Sequence, residues 1–455
     1  MKRHFIIYLL ATLSAALMTA CQELHDDTLL SISVTSWTFN ADGSDTLHLT
    51  VQGGDWTAEP AQDWVTVHDN GDGTASVTAL ENTENSQRST TVTFRSGSME
   101  QTLSVDQLPH LFDGEFRVMY DWADPAMSRD GRYIAGGYLE GDSYLGMFVW
   151  DLETGEYTKY PNGYTTATSV SNNGMIIMNN SSGTGALMKD GEIIDLALPE
   201  GGDYSTPSPF GCSADGSIIV GTVRENVLMP NGSYFSNHVP VKWTNGVPEI
   251  MEYPDHGMWG ASYHSPGVIP RCCSADGSVI VGSEWSNTFG AIYWVDGRMV
   301  DLGNDPEYMN ILVGSDGVPY FAEGIVSYAQ YNTVSHNGDY IALAYRKYEG
   351  NYPVLINTRT GEVVVNKDYS YATSGTPMDD GRFFYRNNNL QAVTMTMEPG
   401  SGQTVQQYLQ DTYGLRVSDD YSVSYISDDG KTILGWMVRE SAMGMAYYPW
   451  YARFN

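Results

Sequence analysis

The chain reads CSADGSIIVG from Cys212 to Gly221 and CSADGSVIVG from Cys273 to Gly282, and the two stretches differ only in Ile218 against Val279. Around them a looser pattern recurs: serine, any residue, Asp or Asn, glycine, then an apolar run. Copies begin at Ser128, Ser171, Ser213, Ser274, Ser335 and Ser427, and a degraded copy, MDDGRFFYR, begins at Met378. Glycine takes positive φ without steric cost, and Asp or Asn hydrogen-bonds its own loop backbone. Each copy therefore reads as a tight hairpin hinge, not a catalytic pair. Apolar alternation enters the turn, as in YTTATSVSNNG (164–174), and leaves it, as in GSIIVGT (216–222). A third run ends in Trp150, Trp243 or Trp294, and a turn with a fourth strand follows, as in VDGRMVDLG (295–303). Four antiparallel strands per repeat, repeated along the chain, predict β-propeller blades. The copies predict seven blades; GSDGVPYFAEG (314–324) leaves six or eight open. The last repeat lacks a fourth strand, and EFRVMYDW (115–122) has no partner of its own. That segment is expected to complete the last blade and leave no free edge.

The combination S-x-D-G-x-x-I-x-G followed by W-x-x-G-x-x-x-D-L-G resembles the HAF-type extracellular repeat, a propeller-forming family, over residues 115–455. The third and fourth copies fit best, and the last three depart from it. The sialidase Asp-box does not fit, because glycine here follows Asp directly.

Residues 29–108 read as an Ig-like β-sandwich. Runs with period-2 alternation flank short turns at Asp42-Gly43, Asp72-Gly73 and Ser96-Gly97. Trp56, the Trp64-Val-Thr-Val run, Gly73, Asn82, Arg88 before TVTF, and SVDQ closing at Gln107 resemble the BACON domain. That resemblance implies a carbohydrate-binding or spacer module. Trp56 and Trp64 adjoin apolar strands and read as core residues. DNGDGT (69–74) lacks the downstream Glu of a calcium loop and reads as a plain hairpin. The fold class is thus all-β, a BACON-like sandwich followed by a propeller over 109–455.

Lys2 and Arg3 precede an apolar run from Phe5 to Leu17 that is too short to span a bilayer, so residues 1–20 read as a secretory signal. MTAC, ending at Cys21, resembles the lipobox of bacterial lipoproteins and implies lipidation of Cys21, with ordinary signal cleavage as the alternative. The acidic tether over 21–28, with QELHDD, resembles the surface-export signal of Bacteroidetes lipoproteins. Together they imply an outer-membrane protein, lipid-anchored and facing the exterior. A net charge of −32 disfavours nucleic acid and anionic headgroups as partners, so the membrane is expected to be met only through the lipid. Cys212, Cys272 and Cys273 have no zinc-like spacing. They read as buried apolar residues, with a disulfide from Cys212 to Cys272 or Cys273 as the alternative.

Strand parity puts the Asp-Gly turns on one face of the propeller and the longest insertions (224–238, 252–271, 303–332) on the other. Long loops in compact domains carry function. The candidate ligand-binding residues are Tyr253, Asp255, Trp259, Tyr263, His264, Glu284, Trp285 and Tyr328. Exposed aromatic faces stack on sugar rings while Asp, Glu and His take hydroxyls; packing onto the propeller body is the other use of the same residues. The expected partner is a glycan or glycoprotein. A scaffold role toward outer-membrane proteins is the alternative, and a glycan hydrolase or lyase the third reading. Hydrolysis needs two converging carboxylates, and Asp255, Glu284 and Glu323 are on the right face. No nucleophile-elbow, metalloprotease or phosphate-loop motif appears, so no catalytic residue is assigned. The pair His256 and His264 with Asp255 lacks metal-ligand spacing; no metal or cofactor is expected.

Overall fold

The computed structural model describes residues 30–455 except 42, 83–86, 110–113, 141–142, 162, 180–184, 229–231, 233, 255–266, 286–289, 303–304, 306, 308–309, 314–318, 327–332, 348–349, 367–374, 387–391, 396–401, 419–420 and 442–443. It divides into two compact units, one ending at Leu111 and one running from Phe112 to Asn455. The first is a β-sandwich. One four-stranded sheet holds Ser31–Ile32, Thr46–Gln52, Thr74–Ala79 and Val65–Asp69. The other holds Ser36–Phe39, Met99–Gln107, Arg88–Ser96 and Thr57–Pro60. Thr46–Gln52 buries every second residue, so Leu47, Leu49 and Val51 meet Phe39, Val92, Phe94, Leu103 and Val105 in one core. Trp64 belongs to that core, with the Arg88 guanidinium 4.4 Å above its ring, and Trp56 tilts against Phe94 at 5.6 Å. Arg88 and Gln107 also hold the main chain between the sheets: both donate to the Leu80 carbonyl, and Gln107 reaches that of Asn40. In the turn after Val65–Asp69, Asp69 accepts from Gly71 N and Asp72 from Thr74 N, as a plain hairpin requires.

The second unit is a β-propeller. Among the described residues its strands form seven sheets in chain order, beginning with Trp122–Met127, Tyr133–Glu140, Ser143–Asp151 and Tyr157–Tyr160. The first strands of the first four sheets lie against one another in turn, as do those of the sixth and seventh, so these strands are innermost. The fifth sheet has an additional strand, Asn310–Val313, paired with Pro319–Val326, so the described part of the stretch at 314–324, residues 319–324, belongs to that sheet and makes no sheet of its own. The helix Val405–Tyr413 follows the sixth sheet. Thr404 caps its start by accepting from Gln407 N, and Gly414 ends it at φ 74°.

The seventh sheet closes the ring. Its own strands are Tyr421–Ile426, Thr432–Ser441 and Gly444–Phe454, and its fourth is Gly114–Val118, in register with Trp450 opposite Val118 and Phe454 opposite Gly114. Phe116 is buried there, with ring centroids 5.7 Å from both Tyr421 and Trp450.

The quoted repeat explains itself locally. The serine is buried in every copy that has one. Its hydroxyl donates to the Asp or Asn two residues on (2.7 Å from Ser213 to Asp215) and accepts the main-chain N–H that opens the next strand (Ile218 to Ser213, 2.9 Å). Asp215 then accepts from Ser217 N at 2.9 Å, and Gly216 takes φ 74°. The closing glycine has a different task. A Cβ on Gly282 would come within 2.6 Å of the Ile269 carbonyl in the neighbouring strand, and Gly221 meets the Ser208 carbonyl even more closely. The conserved-looking ends of the repeat are thus a satisfied polar turn and a close backbone approach.

Replacing Phe116 by alanine removes a buried aromatic from the closing strand. It is expected to cost about 3–5 kcal/mol by thermal or denaturant unfolding, with loss of cooperativity in the propeller alone.

Candidate functional site

Two faces carry the candidate chemistry. Of the residues that the sequence assigns to the long-loop face, Asp255, Trp259, Tyr263, His264 and Tyr328 lie outside the described residues, as does Cys21. Glu284 and Trp285 end the strand Val279–Trp285, opposite Val268 and Gly267. Tyr253 is half-buried and packs against the cores of the third and fourth sheets, so the body of the propeller uses at least part of its ring. Sequence reasoning missed other residues of this face. The second-to-third strand hairpins place Tyr144 (53% exposed), Leu228 (60%) and Tyr447 (54%), with Leu145 beside Tyr144, at the ends that parity assigns to the long-loop side.

The turn face has a feature that sequence reasoning passed over: the variable second position of the repeat. Those residues are Arg129, Asn172, Ala214, Ala275, His336, Asp379 and Asp428. Their backbones link turn to turn around the axis. Asn172 N donates to Ala214 O, Ala214 N to Ala275 O, Ala275 N to His336 O, and Asp428 N to Arg129 O. Side chains continue the ring, with Asp130 N donating to Asn172 Oδ1 and Asn337 N to Asp379 Oδ1. Arg129 crosses the ring: its Nη2 lies 2.6 Å from the carbonyl oxygen of Cys273, in the fourth blade. His336 Nδ1 lies 2.8 Å from Asp428 Oδ2. Burial pushes the Asp428 carboxyl up to about 7, with Arg129 opposing and Asp379, Asp130 and Asp429 adding to the rise. Burial, then Arg129, holds His336 below the ordinary imidazole value. A single arginine thus faces several carboxylates on this face.

The cysteines below this ring are free and buried. Cys212 Sγ sits 3.3 Å from Ser169 Oγ, and Cys272 Sγ 3.2 Å from Thr333 Oγ1. Burial pushes the Cys212 thiol up to about 11, so it is a packing residue and not a nucleophile. No group of three or more His, Cys, Asp or Glu among the described residues is arranged to hold a metal ion. A cleft of about 270 Å³ between the third and fourth blades is lined by Ile218, Met251, Ile280 and Trp294 together with Lys242 and Glu249.

Residues 54–108 match the BACON family, described as "Putative binding domain, N-terminal". No curated protein matches the chain. Among solved structures the chain is similar to an oligogalacturonate lyase in complex with manganese (11% identity, TM-score 0.45, covering 82% of this chain and 98% of that one). It is similar also to the β-propeller domain of the trilobed protease from Pyrococcus furiosus (10%, 0.39, 84% and 98%). A third is a protein of unknown function from Bacteroides thetaiotaomicron VPI-5482 (11%, 0.30, 95% and 99%). Likenesses of this size carry no activity over to this chain.

Arg129→Met removes the charged donor to the Cys273 carbonyl and leaves the facing carboxylates uncompensated. It is expected to lower stability by about 1.5–3 kcal/mol in denaturant unfolding at neutral pH.

Proposed function

We propose that this chain is a lipid-anchored, surface-exposed binding protein that holds a glycan or glycoprotein on the long-loop face of its propeller, as part of glycan acquisition. The observation that carries the reading is the one-sided exposure of Tyr144, Leu145, Leu228 and Tyr447 on the hairpins of that face. Aromatic rings left in water at hairpin tips supply flat apolar area at little entropic cost, which is what stacking on a sugar ring uses. Strand parity in the sequence assigns Trp259, Tyr263, His264, Trp285, Tyr328, Asp255 and Glu284 to the same face, and the proposal includes them. The BACON match at residues 54–108 supports a binding role for the chain, with the sandwich as an auxiliary carbohydrate module or as a spacer. Lipidation of Cys21 and the acidic tether behind it supply the anchor and the outward address, and the propeller repeats fit the HAF type.

A protein partner is the second reading. Ile193, Ile194, Leu198, Val247 and Ile250 are exposed on and just after the outermost strands of the second and third blades, a chemistry that suits protein more than sugar.

The test is retention of the chain on immobilised polysaccharides and mucin glycans, with the eluate assayed for new reducing ends. Retention is expected, with roughly tenfold or greater weakening in Trp259→Ala, Trp285→Ala and Tyr144→Ala, since stacked aromatics dominate such contacts. New reducing ends would make the protein a hydrolase or lyase. Absence of retention on every glycan would transfer the assignment to a protein partner.

A further inference from the structure

The cleft between the third and fourth blades combines an apolar interior with an excess of negative charge. Ile218 from the third blade and Ile280 and Trp294 from the fourth line it, and Met251 packs in one core with Ile280 and Trp294. The Trp294 indole N–H donates to the Glu252 carbonyl at 2.7 Å and ties the two walls together. Around this interior stand Glu249, Glu252, Asp276 and Asp296, against a single cation, Lys242. Lys242 is already taken by Glu249, 3.2 Å away across the outer strand pair. Among the described residues the other three carboxylates form no ion pair. Two of them are nonetheless held in place. Glu252 Oε2 accepts from Met299 N at 3.2 Å, and Asp276 Oδ1 accepts from Ser278 N at 3.0 Å and from the Ser274 hydroxyl at 2.7 Å. Nothing among the described residues bonds the second oxygen of either carboxylate.

We propose that this cleft takes an arginine side chain from an exposed, partly apolar segment of a partner protein. Charge complementarity selects a cation, since three fixed carboxylates meet no counter-charge, and the net charge of −32 draws a basic partner from a distance. Size selects a side chain. A volume of about 270 Å³ lies below the roughly 300–1,000 Å³ of pockets that hold a whole small molecule. A long stem of methylene groups can lie along Ile218 and Ile280 while its charged head reaches the carboxylates. Those carboxylates come from both blades. A planar guanidinium with five N–H donors serves more than one at once, and it is more weakly hydrated than an ammonium, so it loses less on entering.

A protein carries that arginine better than a free amine does. Ile250 lines the cleft and is 36% exposed, and Val247, on the same strand, is 67% exposed. This apolar area suits the residues that flank the arginine. The turns at 276–278 and 296–297 border the cleft, so it belongs to the face opposite the long loops and does not depend on a glycan bound there.

The test is saturation-transfer NMR on the full chain with acetyl-Leu-Arg-Leu-amide as the probe, beside the same peptide carrying citrulline, which keeps the shape of arginine without its charge. The arginine peptide is expected to bind, more weakly as salt is raised, and the citrulline peptide about tenfold or more less tightly. Both comparisons use the unsubstituted chain and do not depend on a variant folding. Glu252→Gln keeps an oxygen for Met299 N, and Asp296→Asn introduces the residue that Asn245 already supplies at φ 50° in the third blade. Each is expected to weaken the probe about threefold or more, and the two together about tenfold or more, without loss of melting temperature. Absence of binding would overturn the proposal, as would equal binding of the citrulline peptide. Binding that survives both substitutions would reflect attraction to the acidic surface at large and would overturn it too.

Discussion

A buried serine hydroxyl is the constraint on which the propeller depends. In each intact copy of the repeat it is removed from water and must both donate and accept, since an unpaired polar group in the interior costs a large fraction of a domain's net stability. The Asp or Asn two residues on accepts its hydrogen bond, and the N–H at the start of the next strand supplies the donor. Both partners are reached only if the chain reverses tightly, which glycine at positive φ allows. The turn is therefore fixed by its own polar atoms before any blade packs on another. What the blades add is apolar: Trp243 and Trp294 are fully buried, and each indole N–H closes on a carbonyl of the blade before it, that of Ala197 or Glu252.

Because the turns are self-satisfied, the residue between serine and Asp is free to serve the ring. Its main-chain N–H and C=O carry most of the turn-to-turn bonds, while its side chain points into whatever the axis needs. Small residues, Ala214 and Ala275, stand in the two copies nearest to the repeat's ideal. Arg129, Asn172, His336, Asp379 and Asp428 stand in the other five. Arg129 supplies the one positive charge of the ring and reaches a carbonyl 144 residues away in sequence. Polar specificity has thus been concentrated at one layer of an otherwise apolar assembly.

Much of the fold was legible in the sequence for a physical reason. Tight turns, period-2 alternation and a leftover strand are local signals. The sandwich core, with Trp64 and Trp56 beside or inside it, follows from them without knowledge of distant contacts, as does the closure expected of 115–122, of which Gly114–Val118 performs it and Trp122 instead opens the first blade. The fifth sheet was harder, because its additional strand is held by one hairpin partner and repeats nothing else in the chain. The axial layer was not legible. Its members occupy a position that looks unconstrained in the repeat, and their meeting depends on ring closure across several blades. Loop residues such as Trp259 and Tyr328 were named from aromatic content alone, whereas Tyr144 and Tyr447, whose exposure the hairpins decide, went unnoticed.

The closing strand also orders events in time. Residues 114–118 leave the ribosome long before Phe454, their partner at the other end of the chain. Until the last repeat emerges, the strand that completes the ring has nothing to pair with, and the innermost strands of the first blade lack one flank. The sandwich ahead of it has no such debt, because all its strands pair among themselves. Synthesis from the N-terminus therefore delivers a finished small domain first, followed by a growing crescent of blades whose two ends stay open until the final residues arrive.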